Sequence, residues 1–430
     1  MSVRTTWKRA AAMVMALTVS VGAVFAGVPA GFGDVPAAVQ AAETEDALSA
    51  AEGNGAPSAA GESYFASAAG NAEADAQWEA AKAYKEAVYN AYLKLAEGLD
   101  VNILVVGDSI GSGAGADDTA GGPWEWDLQL AGYLTQAYCE GSGYGGTIRV
   151  TNISMGGNSS YAGYIGALSL DDGIEYDLVI LCYGQNDVET DFSLYYEAMI
   201  RAVQRHYPGC EIIAVLESSQ LTYTAKIREI QKLCSHYGIP TADTIAAFAA
   251  SGYDVLTLTS DGTHPNNLGQ TIYAQTIAAV IDSEVLQAVA ELSEAAAAGT
   301  LLSALQQESA PAAYNKEVSR FDHLRCYPAG DESADGVTQF VRVDDTTYTI
   351  AASASGVLGI DFLYDSGDGR VQVYLDGVLY ESPVLLFECG FAQRYLLVVD
   401  TEVTVAERIT VVFDTKEEAD GFLGVYFSWG

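Results

Sequence analysis

Asp261 and His264 lie three residues apart in the run Asp261-Gly262-Thr263-His264-Pro265-Asn266. One turn of chain can therefore set the carboxylate against one imidazole nitrogen and leave the other nitrogen free. An imidazole held in this way takes the proton from a serine hydroxyl as it attacks an acyl carbon, which serine alone does poorly at neutral pH. Ser109, in Gly107-Asp108-Ser109-Ile110-Gly111, follows an apolar run and is the candidate nucleophile, with His264 as its base and Asp261 orienting the ring. The oxyanion formed on attack needs fixed donors. Candidates are the backbone N–H of Ser109, the backbone N–H of Gly157 and the side-chain amide of Asn186. Spacing from Asn152 favours Gly157 over the adjacent Gly156, and glycine lets substrate approach the backbone closely. This chemistry calls for no cofactor and no metal.

The chain has four histidines, and the other three offer no competing site. His206 and His236 end helical patterns, where a cation suits the negative helix terminus, and His323 stands in a linker with no serine block nearby. The glycine-rich run after Ser109 also resembles a degenerate dinucleotide loop, but no acidic residue ends a closely following second strand. Asp171, Asp172 and Asp187 lack the spaced carboxylates of a calcium loop.

These residues need a frame. Short apolar runs begin at Val101, Thr147, Asp177 and Glu211, with a weak fifth near Ile239. Helical patterns cover Trp124 to Tyr138, Ser193 to His206, Tyr223 to Tyr237 and Asn267 to Ile281. Strands apolar throughout and separated by helices predict an α/β domain, a parallel sheet covered on both faces. Ser109, Gly157, Asn186 and His264 all fall in loops that would open on one sheet edge, where such sheets bind ligands. Trp124, Trp126, Tyr161 and Tyr164 lie near that mouth in sequence, and stacking on sugar rings and filling the core are equally open to them.

The blocks GDS at Gly107 to Ser109, the glycine after the second strand, GQND at Gly184 to Asp187 and DGTHPN at Asp261 to Asn266 resemble those of the SGNH/GDSL-like hydrolases in order and position. The resemblance covers roughly Val101 to Ile281. It implies a flavodoxin-like α/β/α sandwich hydrolysing esters of lipids or acetylated carbohydrates without a metal. It assigns the four family roles to Ser109, Gly157, Asn186 and His264, with Asp261 completing the triad.

Around this domain the 430 residues divide further. Arg4, Lys8 and Arg9 precede an apolar run ending in small residues, which predicts a signal peptide over 1–26, with cleavage as late as 41, and export. Residues 27–70, rich in Ala, Gly, Ser and Pro, predict a disordered linker; 71–282 an N-terminal helix and the hydrolase domain; 283–334 a helical linker. From 335 to 430 the period becomes two, with the hairpin signal Asp376-Gly377, which predicts an all-β sandwich of jelly-roll-like form. The net charge of −37 disfavours nucleic acid and anionic membrane as partners, and no membrane anchor is expected. Six cysteines leave the disulfide pattern open, although Cys182 in an apolar run suits a buried thiol.

The expected function is an exported serine esterase releasing a short acyl group, acetyl first, from a carbohydrate or cell-wall glycan. A lipase or lysophospholipase is the alternative within the class. A non-catalytic glycan-binding protein is the alternative outside it, in which Tyr374, Tyr380 and Trp429 of the β domain contact glycan.

Overall fold

The apolar runs form the strands expected of them, because strands buried on both faces need no alternation of polar residues. The computed structural model describes residues 82–83, 85–117, 119, 121–142, 144–187, 192–217, 222–300, 311–321, 324–330, 338–351, 354–364, 370–381 and 393–428. The expected signal segment and linker, His323, Cys389, Trp429 and the side chain of Tyr380 lie outside this description. The chain divides into two compact units, Met1–Lys85 and Glu86–Gly430, and of the first only Lys82, Ala83 and Lys85 are described.

In the second unit, strands β1 (Val101–Gly107), β2 (Ile148–Asn152), β3 (Leu178–Cys182), β4 (Glu211–Leu216) and β5 (Thr241–Asp243) pair in parallel in the order β2-β1-β3-β4-β5. That is the flavodoxin-like order, with its switch point between β1 and β3. Around the sheet run α1 (Ala91–Glu97), α2 (Trp126–Leu134, extended by a π-helical turn to Cys139), α3 (Ser160–Ser169), α4 (Phe192–His206), α5 (Ala225–Tyr237), α6 (Thr244–Ser251), α7 (Val255–Leu258) and α8 (Asn267–Ala298).

Three helices differ from expectation, each for a local reason. The N-terminal helical pattern is interrupted at Tyr89 and Asn90, where the Asn90 side chain accepts from Leu93 N–H and starts α1 afresh. Helix α3 has no amphipathic stripe because seven of its ten residues are buried, so periodicity gives no sign of it. Helix α8, 32 residues in all, runs on past Asp282 until Gly299 closes it in a left-handed conformation, since no glycine or proline intervenes after Gly269.

The C-terminal region is one mixed, curled sheet of nine strands, from β6 (Leu324–Gly330) through β7 (Phe340–Asp344), β8 (Thr347–Ile350), β9 (Ala354–Tyr364), β10 (Val371–Leu375), β11 (Val378–Glu381), β12 (Gln393–Ala406) and β13 (Ile409–Phe413) to β14 (Phe422–Ser428). A parallel β6–β7 pair joins its two antiparallel leaves, and Phe340, Ile360, Val373, Val411 and Phe422 from both leaves share one core. The expected hairpin joins β10 and β11, with Asp376 and Gly377 at φ of 51° and 82°.

Among the four aromatics near the predicted mouth, Trp126, Tyr161 and Tyr164 are fully buried and belong to the core, and Trp124 is half-buried. Cys139, Cys182, Cys210 and Cys234 are free thiols. His206 and His236 lie in the last turns of their helices, as expected, and their Nε2 atoms lie 3.0 Å from the Leu170 carbonyl and 2.6 Å from the Ala312 carbonyl.

Candidate active site

The site is built at the carboxyl ends of β1 and β3, across the switch point. After β1 the chain turns tightly: Asp108 N–H donates to the Cys182 carbonyl at 3.1 Å, and the Ser109 carbonyl accepts from Ala114 N–H at 3.0 Å. Gly107 is required because a Cβ there would lie 2.8 Å from the Cys182 carbonyl oxygen and 2.9 Å from Gly111 Cα. Trp126 Nε1 pins the turn by donating to the Ile110 carbonyl at 3.1 Å.

The loop between α7 and α8 folds on the Asp261 carboxylate. Its Oδ1 accepts from the N–H groups of Thr263 at 2.9 Å and His264 at 2.8 Å, and its Oδ2 lies 2.6 Å from His264 Nδ1. Gly262 adopts φ of 89°, a conformation that favours glycine. The opposite ring nitrogen, His264 Nε2, lies 2.8 Å from Ser109 Oγ. The slight burial of Asp261 would raise its pKa, but the amide and ring of His264 and the amide of Thr263 outweigh this and hold it at about 2. An ionised Asp261 fixes the tautomer: Nδ1 donates to it, so Nε2 accepts from the serine hydroxyl.

Asn186, exposed after β3, donates from Nδ2 to the Asn158 carbonyl at 3.1 Å and to Asp108 Oδ2 at 3.3 Å. Its amide thus spans the neighbours of both Ser109 and Gly157. Gly157 sits at φ of 73°. Among the described residues, neither the Ser109 nor the Gly157 N–H donates to a protein acceptor. The loop after β3 is anchored to the start of α3, because Asp187 Oδ1 accepts from Ser160 N–H at 2.9 Å and Ser160 Oγ–H at 2.5 Å. All five residues singled out in the sequence therefore converge on one end of the sheet.

The residues that join these loops stand outside the sequence blocks. Gln270 is fully buried on α8, and its Nε2 donates to the carbonyls of Gly113 at 2.9 Å, Ala114 at 3.2 Å and Pro265 at 3.0 Å, while its Oε1 accepts from Trp126 N–H at 3.0 Å. It fastens the serine loop to the histidine loop. Its only legible sign is a polar residue on the buried face of a helix. Asn152 does similar work at the end of β2, donating to the Gly111 carbonyl at 3.0 Å and to Asp127 Oδ2 at 2.9 Å. Among the described residues, no group of three or more His, Cys, Asp or Glu is arranged to hold a metal ion, and no helix is long and apolar enough to cross a membrane.

Residues 105–272 match the GDSL-like Lipase/Acylhydrolase family. No curated protein matches the chain. Among solved structures, the chain is similar to a two-domain esterase active on acetylated mannans. The complex co-crystallised with mannopentaose has 16% identity and a TM-score of 0.56, covering 81% of this chain and 96% of that one. A second structure of that esterase gives 17% identity and a TM-score of 0.56, covering 83% and 95%. At such identity the likeness establishes a shared fold. Residues 105–272 thus carry the sequence blocks of the GDSL-like lipase/acylhydrolases on that fold, and the match marks the protein as a carboxylic ester hydrolase.

Proposed function

We propose that the protein is an exported serine esterase that releases short acyl groups, acetyl first among them, from a carbohydrate or cell-wall glycan. The observation that carries the mechanism is the relay of 2.6 Å from Asp261 Oδ2 to His264 Nδ1 and 2.8 Å from His264 Nε2 to Ser109 Oγ. Ser109 Oγ attacks the ester carbonyl carbon as its proton passes to His264 Nε2. The Ser109 N–H, the Gly157 N–H and Asn186 Nδ2 receive the oxyanion. The carbon–oxygen bond to the sugar then breaks, the leaving alkoxide takes the proton from His264, and an acyl-serine remains. Water, deprotonated by the same nitrogen, attacks that ester and frees the acid and Ser109.

The carbohydrate assignment is supported by the likeness in fold, over 81–83% of this chain, to an esterase active on acetylated mannans. The strongly acidic composition also suits a neutral polymer better than an anionic bilayer. Export is supported by the basic, apolar and small-residue succession over 1–26. Glycan contact by the β domain would add to the site and would not replace it.

The test is acetate release from acetylated mannan, acetylated xylan and a short-chain aryl ester, comparing the mature protein with Ser109→Ala. Release that vanishes in the variant supports the proposal. Folded wild-type protein inactive on all three, or equal release from both proteins, sinks it. Chain-length preference on the aryl esters decides against a lipase if acetate and propionate are the best substrates.

A further inference from the structure

Beneath the serine turn lies a group of buried acids that the relay and the oxyanion donors leave unused. Asp108 is fully buried and Glu217, just after β4, is 1% exposed. Asp108 Oδ1 accepts at 2.9 Å from the N–H of Ile110, the residue after the nucleophile, and its Oδ2 accepts from Asn186 Nδ2 at 3.3 Å. Glu217 Oε2 accepts from Cys182 Sγ–H at 2.7 Å, and its Oε1 meets no N–H or hydroxyl donor among the described residues. The two carboxyls are buried neighbours, and neighbouring carboxyls in a low-dielectric site can share one proton.

Among the described residues, no cation is in contact with this pair. Cys182 from β3, Tyr183 and Asp187 from the loop after it, Tyr196 from α4 and Tyr273 from α8 face the pair, and all are neutral or acidic. Lys226 on α5 is occupied by the carbonyls of Asp187 at 2.5 Å and Gln185 at 3.3 Å. Two touching carboxyls in such a place cannot both ionise.

We propose that Glu217 is a positioning residue for the ester hydrolysis proposed above, its proton shared with Asp108 so that Asp108 holds the Ile110 amide of the nucleophile turn and the Asn186 amide of the oxyanion hole in place. The inference rests on that proposal. Burial and neighbouring carboxyls raise both Asp108 and Glu217 well above the usual carboxylate range. Both shifts are upward, so the pair's contribution to stability is complete below the ordinary carboxylate pKa and is lost as pH rises through the raised values. Once the shared proton leaves, like charges push Asp108 from Glu217, and the Asn186 amide loses its fixed acceptor.

The experiment compares wild type, Glu217→Gln and Glu217→Leu on an aryl acetate, with melting temperatures, from about pH 5 to about pH 9. Glutamine keeps a donor for Asp108 and cannot ionise; leucine keeps the bulk without the donor. Glu217→Leu is expected to lower kcat about tenfold or more with KM little changed, the mark of a lost transition-state interaction. Glu217→Gln restores most of that loss, holds its kcat to higher pH by about one unit or more, and melts with a flatter alkaline slope. Coincident pH profiles of kcat for wild type and Glu217→Gln, or wild-type kcat in Glu217→Leu, overturn the proposal. If neither variant folds, infrared spectroscopy of the wild type decides: the carbonyl band of a protonated carboxyl must persist at neutral pH, and its absence overturns the proposal. Wild type inactive on every ester overturns the parent proposal and the positioning role together. An active wild type with coincident profiles overturns the positioning role alone.

Discussion

His264 works only because its two nitrogens have different partners, and each partner can be removed separately. Asp261→Asn leaves the ring without an anionic acceptor at Nδ1, so kcat on an aryl acetate is expected to fall by about 10³-fold or more while circular dichroism stays unchanged. Because Asp261 is held at about 2, its contribution to the loop is present above the ordinary carboxylate pKa and is lost as pH falls from there toward about 2. Asn186→Ala removes one of the proposed oxyanion donors and is expected to lower kcat by about 10²- to 10³-fold, with KM changed far less. At this scale the sequence was highly legible: Asp261 and His264 lie within one turn, and short-range geometry needs no tertiary contact to be read. Asp108, Glu217 and Gln270 were not legible in their roles. Asp108 meets Glu217 across the sheet, and Gln270 reaches the Gly113 carbonyl from 157 positions away. No local pattern encodes such a meeting.

At the scale of elements, two glycines separate backbone necessity from mere tolerance. In Gly107→Ala the new methyl meets the Cys182 carbonyl oxygen and Gly111 Cα, backbone atoms that cannot yield cheaply. The variant is expected to lose about 1–3 kcal/mol in urea unfolding, and activity with it, because Ser109 is two residues away. Gly132 on α2 is the counterpart: a Cβ there meets nothing within 4 Å. Gly132→Ala is expected to gain about 0.4–1 kcal/mol in the same measurement, with activity unaltered. Strands β1, β3 and β4 were legible because they are apolar on both faces. Helix α3 was not, because a helix buried all round has no stripe. The end of α8 was set by Gly299, beyond the point at which the apolar pattern weakens.

The α/β and β regions of Glu86–Gly430 meet through residues that neither pattern marks as a contact. Tyr164 donates its hydroxyl to the Phe321 carbonyl, the Phe321 ring packs edge-on against Tyr164 at 5.8 Å and Tyr195 at 5.6 Å, and Tyr426 of β14 joins the α/β core. A Cβ at Gly359 of β9 would lie 2.4 Å from the Tyr161 hydroxyl. Buried Glu197 on α4 clasps the segment before β6, accepting from Tyr314 N–H at 2.6 Å, Asn315 N–H at 2.8 Å, Asn315 Nδ2 at 2.7 Å and Tyr237 Oη at 2.7 Å. Glu197→Ala strands those donors and is expected to cost about 3 kcal/mol or more in denaturant unfolding, with kcat per folded molecule preserved. The sequence by itself determined the residue types of the relay, the parallel α/β plan, the β character of the C-terminal region and an acidic charge that repels polyanions, since each follows from local spacing, periodicity or composition. Only the tertiary structure decided that Tyr161 and Tyr164 fill the core instead of stacking on sugars, that Gln270 joins two loops and that Asp108 and Glu217 are buried together beneath the nucleophile turn. Those outcomes depend on which groups burial brings together and what charges surround them, and distance along the chain carries no record of either.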